Sequence, residues 1–149
     1  MFTRQQSFGY RFGMLQRLSA SLVRDKMRQL GIQPSQVPFM AALLTDEQPQ
    51  TQDELAARFV IDRSAAARAL EQLEIAGFVE RRINPDNRRQ KLVTATAKAR
   101  GIAGDFFHIL RSASEVFVKD FSEDERQAAM RFLDRMLANA VEEKYDRRG

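Results

Sequence analysis

TQDELAARFVIDRSAAARALEQLEIAGFVERRINPDNRRQKLVTAT, residues 51–96, decides the fold. Thr51 and Glu54 stand at capping-box spacing, in which each side chain satisfies the other residue's orphan backbone N–H, so a short helix over about 51–59 is predicted. VID at 60–62 breaks that pattern. Asp62 is a good N-cap for a second helix reaching about Ala76, where Gly77 supplies a left-handed exit. Beyond Gly77 the period changes: FVERRI (78–83) reads as a strand, NPDN (84–87) as a turn and RQKLVTA (89–95) as the returning strand.

Two short helices across a tight turn, followed by a hairpin, make a winged helix-turn-helix. Its core is legible too, because Leu55, Phe59, Ile61, Ala66, Leu70 and Leu73 fall at spacings that bring them together. Ala56 and Ala66 are small where steeply crossing helices must approach closely. In such a unit the second helix enters the major groove N-terminus first, which presents Arg63, Ser64, Ala65, Ala67 and Arg68 outward. Arg63 and Arg68 suit phosphate or the O6 and N7 acceptors of guanine, Ser64 donates to base or backbone, and Ala65 and Ala67 touch only thymine methyls. With so few side chains able to read bases, specificity leans on one or two arginines and on DNA shape.

Charge points the same way. The net charge is only +4, but the excess is local. Between positions 81 and 100 seven basic residues (Arg81, Arg82, Arg88, Arg89, Lys91, Lys98, Arg100) face Asp86 alone. The concentration suggests that a polyanion meets one face, the other reading being a solvated charged hairpin. A hairpin beside a recognition helix reaches the neighbouring minor groove, where narrowing raises the negative potential that attracts arginine. Arg88 and Arg89 are expected at the tip, with Asp86 stiffening it by holding Arg88 or capping the turn. Arg81, Arg82 and Lys91 are expected on the strands, facing phosphates.

The flanks read as helices. Phe8, Phe12, Leu15, Leu18 and Leu22 recur at helical spacing to Gly31, and a further helix starts between Pro34 and Pro38. Thr96 caps a helix through Phe107, Leu110 and Val118, and SEDE (122–125) repeats the capping box before a last helix to about Lys144. In that last helix Ala129, Leu133, Met136, Leu137, Ala140 and Val141 form a stripe. The 149 residues fit one domain, and the 44% apolar and 30% charged content is that of a globular chain. The chain has no cysteine and one histidine, which excludes disulfides, thiolate metal sites and thiol redox sensing. No metal or cofactor is expected. Neither a membrane span nor a signal peptide is legible, so a cytoplasmic location is expected.

Leu73, Glu74, Gly77, Phe78, Val79 and Arg81, followed by Asp86 and Arg88 in the wing, resemble the MarR family of bacterial transcriptional regulators in its L-E-x-x-G-hydrophobic-hydrophobic-x-R run and D-x-R wing. The resemblance extends over nearly the whole chain, departing in the alanines at 65 and 67 and in Ala95-Thr96 after the wing. It implies one MarR-like domain over 1–149: a mainly α fold with a β-hairpin wing, a winged lobe at 34–95, and dimerisation helices at 1–31 and 97–146. It further implies a homodimer on a pseudo-palindromic double-stranded operator, and repression relieved by a small phenolic or other aromatic effector. Tyr10, Phe12, Met14 and Phe39, with Phe8 and Met40, lie on the helices expected to line the effector cleft, where Arg11 or Arg17 would hold an anionic group. Stripes of this kind at helical spacing are more often core or dimer interface. The alternative function is a protein-interaction module built on a winged-helix scaffold. An enzyme is not indicated, for there is no Gly-rich phosphate loop and no carboxylate pair beside a nucleophile.

Overall fold

Side-chain caps begin all the α-helices but α2, and left-handed residues end several of them, as seen in a computed structural model that describes residues 6–146. In α1 (Phe8–Gln29) the Ser7 hydroxyl accepts the Tyr10 N–H at 3.0 Å, while Lys26 and Arg28 sit favourably in the last turn. A 3₁₀ turn at Pro34–Gln36 leads into α2 (Val37–Thr45), with Pro38 in its first turn, where its missing N–H costs nothing. The helix-turn-helix is α3 (Gln52–Arg58) and α4 (Arg63–Ile75). The expected Thr51–Glu54 capping box is present at 2.7 and 3.1 Å, and Asp62 accepts the N–H groups of Ser64 and Ala65.

Three helices end alike. After α1, α3 and α4 the chain makes paired 6→1 and 5→2 hydrogen bonds, at Ile32 and Gly31, Ile61 and Val60, and Phe78 and Gly77 respectively. Each motif needs a positive φ at its turning residue, which Gly31 (84°) and Gly77 (81°) adopt at no steric cost. The turn of the helix-turn-helix instead places Val60 there, at φ 54°, although a β-branched side chain is disfavoured in that region.

The wing is formed by β2 (Val79–Asn84) and β3 (Asn87–Ala95). A short strand β1 (Gln50–Thr51) adds to the outer edge of β3, giving the sheet order β1-β3-β2. β1 precedes and overlaps the expected start of the helix at Thr51 and was not legible, because two residues carry no alternation to read; its partners Leu92 and Val93 define it. The hairpin turn is also tighter than expected. Only Pro85 and Asp86 connect the strands, and Arg88 and Arg89 belong to β3 rather than to the tip.

Thr96 caps α5 (Ala97–Phe117), as expected, by accepting the Ala99 N–H at 3.3 Å. The chain divides into two compact units, one ending at Ala113 and the other beginning at Ser114. The core of the first unit joins Met27 and Ile32 to Phe39, Met40, Leu55, Leu70, Leu73, Val79, Val93 and Phe106, all fully buried. In the second unit the Ser122–Glu125 capping box opens α6 (Glu123–Asp146), where no residue is buried. Its bidentate Arg126–Glu115 pair, at 3.0 and 2.9 Å, holds the Glu115 carboxyl below the usual carboxylate range.

Val60 is more than one-third exposed, so its removal sacrifices little packing. Val60→Gly is expected to raise stability by about 0.5–1 kcal/mol, the relief of left-handed strain less the extra backbone entropy of glycine. Thermal denaturation followed by circular dichroism would show this as a higher Tm, and a lower Tm would refute the strain.

Candidate nucleic-acid interface

Arg81 fixes the wing to the helix beside it. Its Nε and Nη2 donate to Glu74 on α4 at 3.3 and 3.2 Å, and its backbone N–H donates to the same carboxylate at 3.0 Å. Its remaining arm, Nη1, donates to Gln52 of α3 at 3.2 Å. Only 10% of the Arg81 side chain is exposed. With its fork bonded on both arms and its side chain largely covered, Arg81 is held inside the lobe rather than projecting from the strand as expected. The hydrogen bonds from Arg81 hold the Glu74 carboxyl below the usual carboxylate range.

The exit from α4 just beyond Glu74 is clamped as well. Thr96 Oγ1 donates to the Gly77 carbonyl and Lys98 Nζ to the Ala76 carbonyl, each at 2.6 Å, so two carbonyls at the helix end are satisfied from α5. The Lys98 ammonium also lies 4.5 Å from the centre of the Phe78 ring.

On this scaffold Arg63, Ser64 and Arg68 are exposed on α4. Arg63 lies 3.7 Å from Asp53, with 83% of its side chain open to solvent. Ala65 and Ala67 are half-buried, so they project less than a fully outward reading allowed. Ala65 and Arg68 instead border a cleft of about 280 Å³ shared with Gln33, Ser35, Gln36, Ala69 and Gln72. Gln33, Ser35 and Gln72 were not among the residues indicated by sequence. Gln72 was legible in principle, one turn beyond Arg68; the approach of Gln33 and Ser35 is a tertiary fact.

On the wing Arg82, Arg88, Arg89 and Lys91 are all exposed, and Arg82 pairs with Glu80 at 2.9 Å. Asp86 neither pairs with Arg88 nor caps the turn. Asn84 Oδ1 does the capping, accepting the Asp86 N–H at 3.0 Å. Of the residues expected around an effector, Tyr10, Arg11, Phe12, Met14 and Arg17 lie on the solvent-facing length of α1. Phe39 is fully buried, edge-on to Phe59 at 6.0 Å, and is therefore core rather than pocket lining. Met40 is buried likewise.

Residues 42–91, the helix-turn-helix and most of its wing, match the profile of the MarR family. Over those residues the chain is similar to the MarR family. It is 26% identical over 132 residues to YybA, an uncharacterized HTH-type transcriptional regulator of Bacillus subtilis, the match covering 85% of this chain and 84% of that protein. Its fold is similar to a MarR transcriptional regulator of Methanosarcina mazei Go1, with TM-score 0.85 and 25% identity over 90% of this chain and 96% of the other. It also matches a MarR-family regulator of Listeria monocytogenes solved with a 26mer DNA, with TM-score 0.88 and 22% identity over 96% and 95% of the two chains. The likeness throughout is to DNA-binding transcriptional regulators, not to enzymes. Among the described residues no cluster of potential ligands could hold a metal ion, and no helix is long and apolar enough to cross a membrane.

Arg81→Met is expected to lower the Tm at neutral pH. Because the folded Glu74 carboxyl titrates below its unfolded value, its contribution is present above the ordinary glutamate pKa of about 4.3 and is lost as pH falls through the depressed value. Melting curves across pH 3 to 7 should therefore converge for Arg81→Met and wild type at the acid end. A constant gap would assign the effect to packing alone.

Proposed function

We propose that this protein is a homodimeric repressor of sequence-specific type, contacting a pseudo-palindromic operator through α4 and the wing. The observation that carries the reading is the partition of the arginines. Arg81 is consumed inside the lobe, while Arg63 and Arg68 on α4 and Arg82, Arg88, Arg89 and Lys91 on the wing present their charge to solvent on either side of the Glu74–Arg81 bond. In this reading α4 occupies the major groove and the wing the adjacent minor groove, with Ser64, Ala65 and Ala67 touching bases and Asp86 lying at the wing turn beside the backbone.

Dimerisation is supported by apolar surface that each unit leaves uncovered. On α1 the exposed residues include Phe8, Phe12, Leu15, Leu18 and Leu22, and on α6 they include Met130, Leu133, Leu137 and Val141. Faces of this kind are interaction surfaces as a rule. A two-fold dimer would set its recognition helices about 34–36 Å apart, one helical turn of DNA. Release by a small aromatic or phenolic effector would act on that spacing as a population shift, with Tyr10, Phe12, Met14, Arg11 and Arg17 as the contacts.

Two measurements test this. Fluorescence anisotropy with labelled duplex from upstream of the protein's own gene should give a Kd some 10³-fold or more below that for random duplex of equal length. Arg88→Ala with Arg89→Ala should weaken both and reduce the salt slope, by about 0.9 for each phosphate that is no longer neutralised. Equal and weak binding to the two duplexes would overturn the reading. Separately, sedimentation velocity should find a dimer that Leu18→Glu converts to monomer; a monomeric wild type would remove the dimer from the proposal.

A further inference from the structure

The wing hairpin does not pair regularly. Asn84 lies opposite Asn87, yet the preceding residue, Ile83, lies opposite Lys91. One step along β2 is matched by four along β3, so Arg88, Arg89 and Gln90 have no partners in the ladder. An irregularity of this kind bends the strand and redirects its side chains. Left to itself, such a stretch would be the most loosely held part of the hairpin, and it carries both arginines next to the turn.

Three amide side chains hold it. Asn84 Nδ2 donates to Gln90 Oε1 at 3.2 Å, closing the irregular stretch at its base. Asn84 Oδ1 accepts the Asp86 N–H at 3.0 Å, and Asn87 Oδ1 accepts the Arg89 N–H at 3.2 Å inside the stretch. Asn84 and Gln90 are half-buried, unlike the residues between them. Among the described residues no carboxylate lies within ion-pairing distance of Arg88 or Arg89, so the stretch is ordered without neutralising either guanidinium. An Asp86–Arg88 pair would have stiffened the wing and reduced its charge together.

We infer that Asn84, Asn87 and Gln90 are positioning residues for DNA binding, holding Arg88 and Arg89 in one geometry before the groove is met. The inference rests on the reading of the wing as a DNA-contacting element. Neutral amides suit this task because they fix backbone direction and add no charge to compete with phosphate. A preordered hairpin loses less conformational freedom on binding, and it favours a groove whose width fits the fixed arginines.

The test is anisotropy on the same two duplexes with Asn84→Ala, Gln90→Ala, the double variant and Asn87→Ala. Each single variant should raise Kd for the upstream duplex about tenfold while leaving the salt slope at its wild-type value, since every phosphate-binding charge is retained. The Asn84→Ala, Gln90→Ala double variant should be no worse than Asn84→Ala alone, because the two share one bond. Asn87→Ser, whose hydroxyl can accept the same N–H more weakly, should recover part of the loss. A general loss of folded protein would lower the binding-competent fraction of all variants alike and would show neither this non-additivity nor this rescue. Binding within twofold of wild type for Asn84→Ala and Asn87→Ala, with Arg88→Ala and Arg89→Ala still impaired, would overturn the positioning role alone. If the arginine variants also bound normally, the wing reading would fall and the inference with it.

Discussion

The hydrogen-bonded ion pair between Glu74 and Arg81 is the constraint on which the DNA-binding lobe depends. One carboxylate accepts a backbone N–H and two guanidinium N–H groups, and the guanidinium passes its last arm to Gln52. Side chains of α3 and α4 thereby converge on one arginine of β2. Its geometry sets where the first wing strand leaves the recognition helix. A lysine has one point of charge and no planar fork, and it could not join the three elements in this way.

The same end of α4 is also held by different chemistry. Gly77 takes the left-handed conformation that lets the chain turn directly from helix into strand, and Thr96 and Lys98 donate to the carbonyls exposed by that turn. Recognition helix, wing and α5 consequently meet at one junction of short hydrogen bonds around a buried Phe78. Movement of the first turn of α5 would be felt at the end of α4 through these contacts.

The wing itself combines a rigid base with a charged end. Val79 and Val93 are buried beneath the sheet, and β1 covers the outer edge of β3, which would otherwise be open to unwanted pairing. Toward the turn the ladder gives way to the irregular stretch of Arg88, Arg89 and Gln90, ordered by asparagine and glutamine amides. Stability is concentrated where the wing meets the lobe, and positive charge where it leaves.

Much of this was decided by local sequence. Capping boxes at Thr51 and Ser122, the Asp62 cap, the glycines at 31 and 77 and the alternation after Gly77 act within a few residues, so the elements and their ends were legible without knowledge of packing. The core positions Leu55, Ala66, Leu70 and Leu73 followed from periodicity. What the tertiary structure alone decided concerned long-range partners. Spacing placed Arg81 on the wing beside Arg82, but only the approach of Glu74 and Gln52 made one arginine internal and left the other at the surface. Phe39 shared its aromatic character with Tyr10 and Phe12, and contact with Phe59 put it in the core. Two-residue β1 had no pattern of its own, and the register slip that separates Arg88 and Arg89 from the ladder depends on how β2 and β3 align. Local rules fix backbone conformation because their hydrogen bonds close within a turn. The fate of a long polar or aromatic side chain depends on which distant group reaches it first.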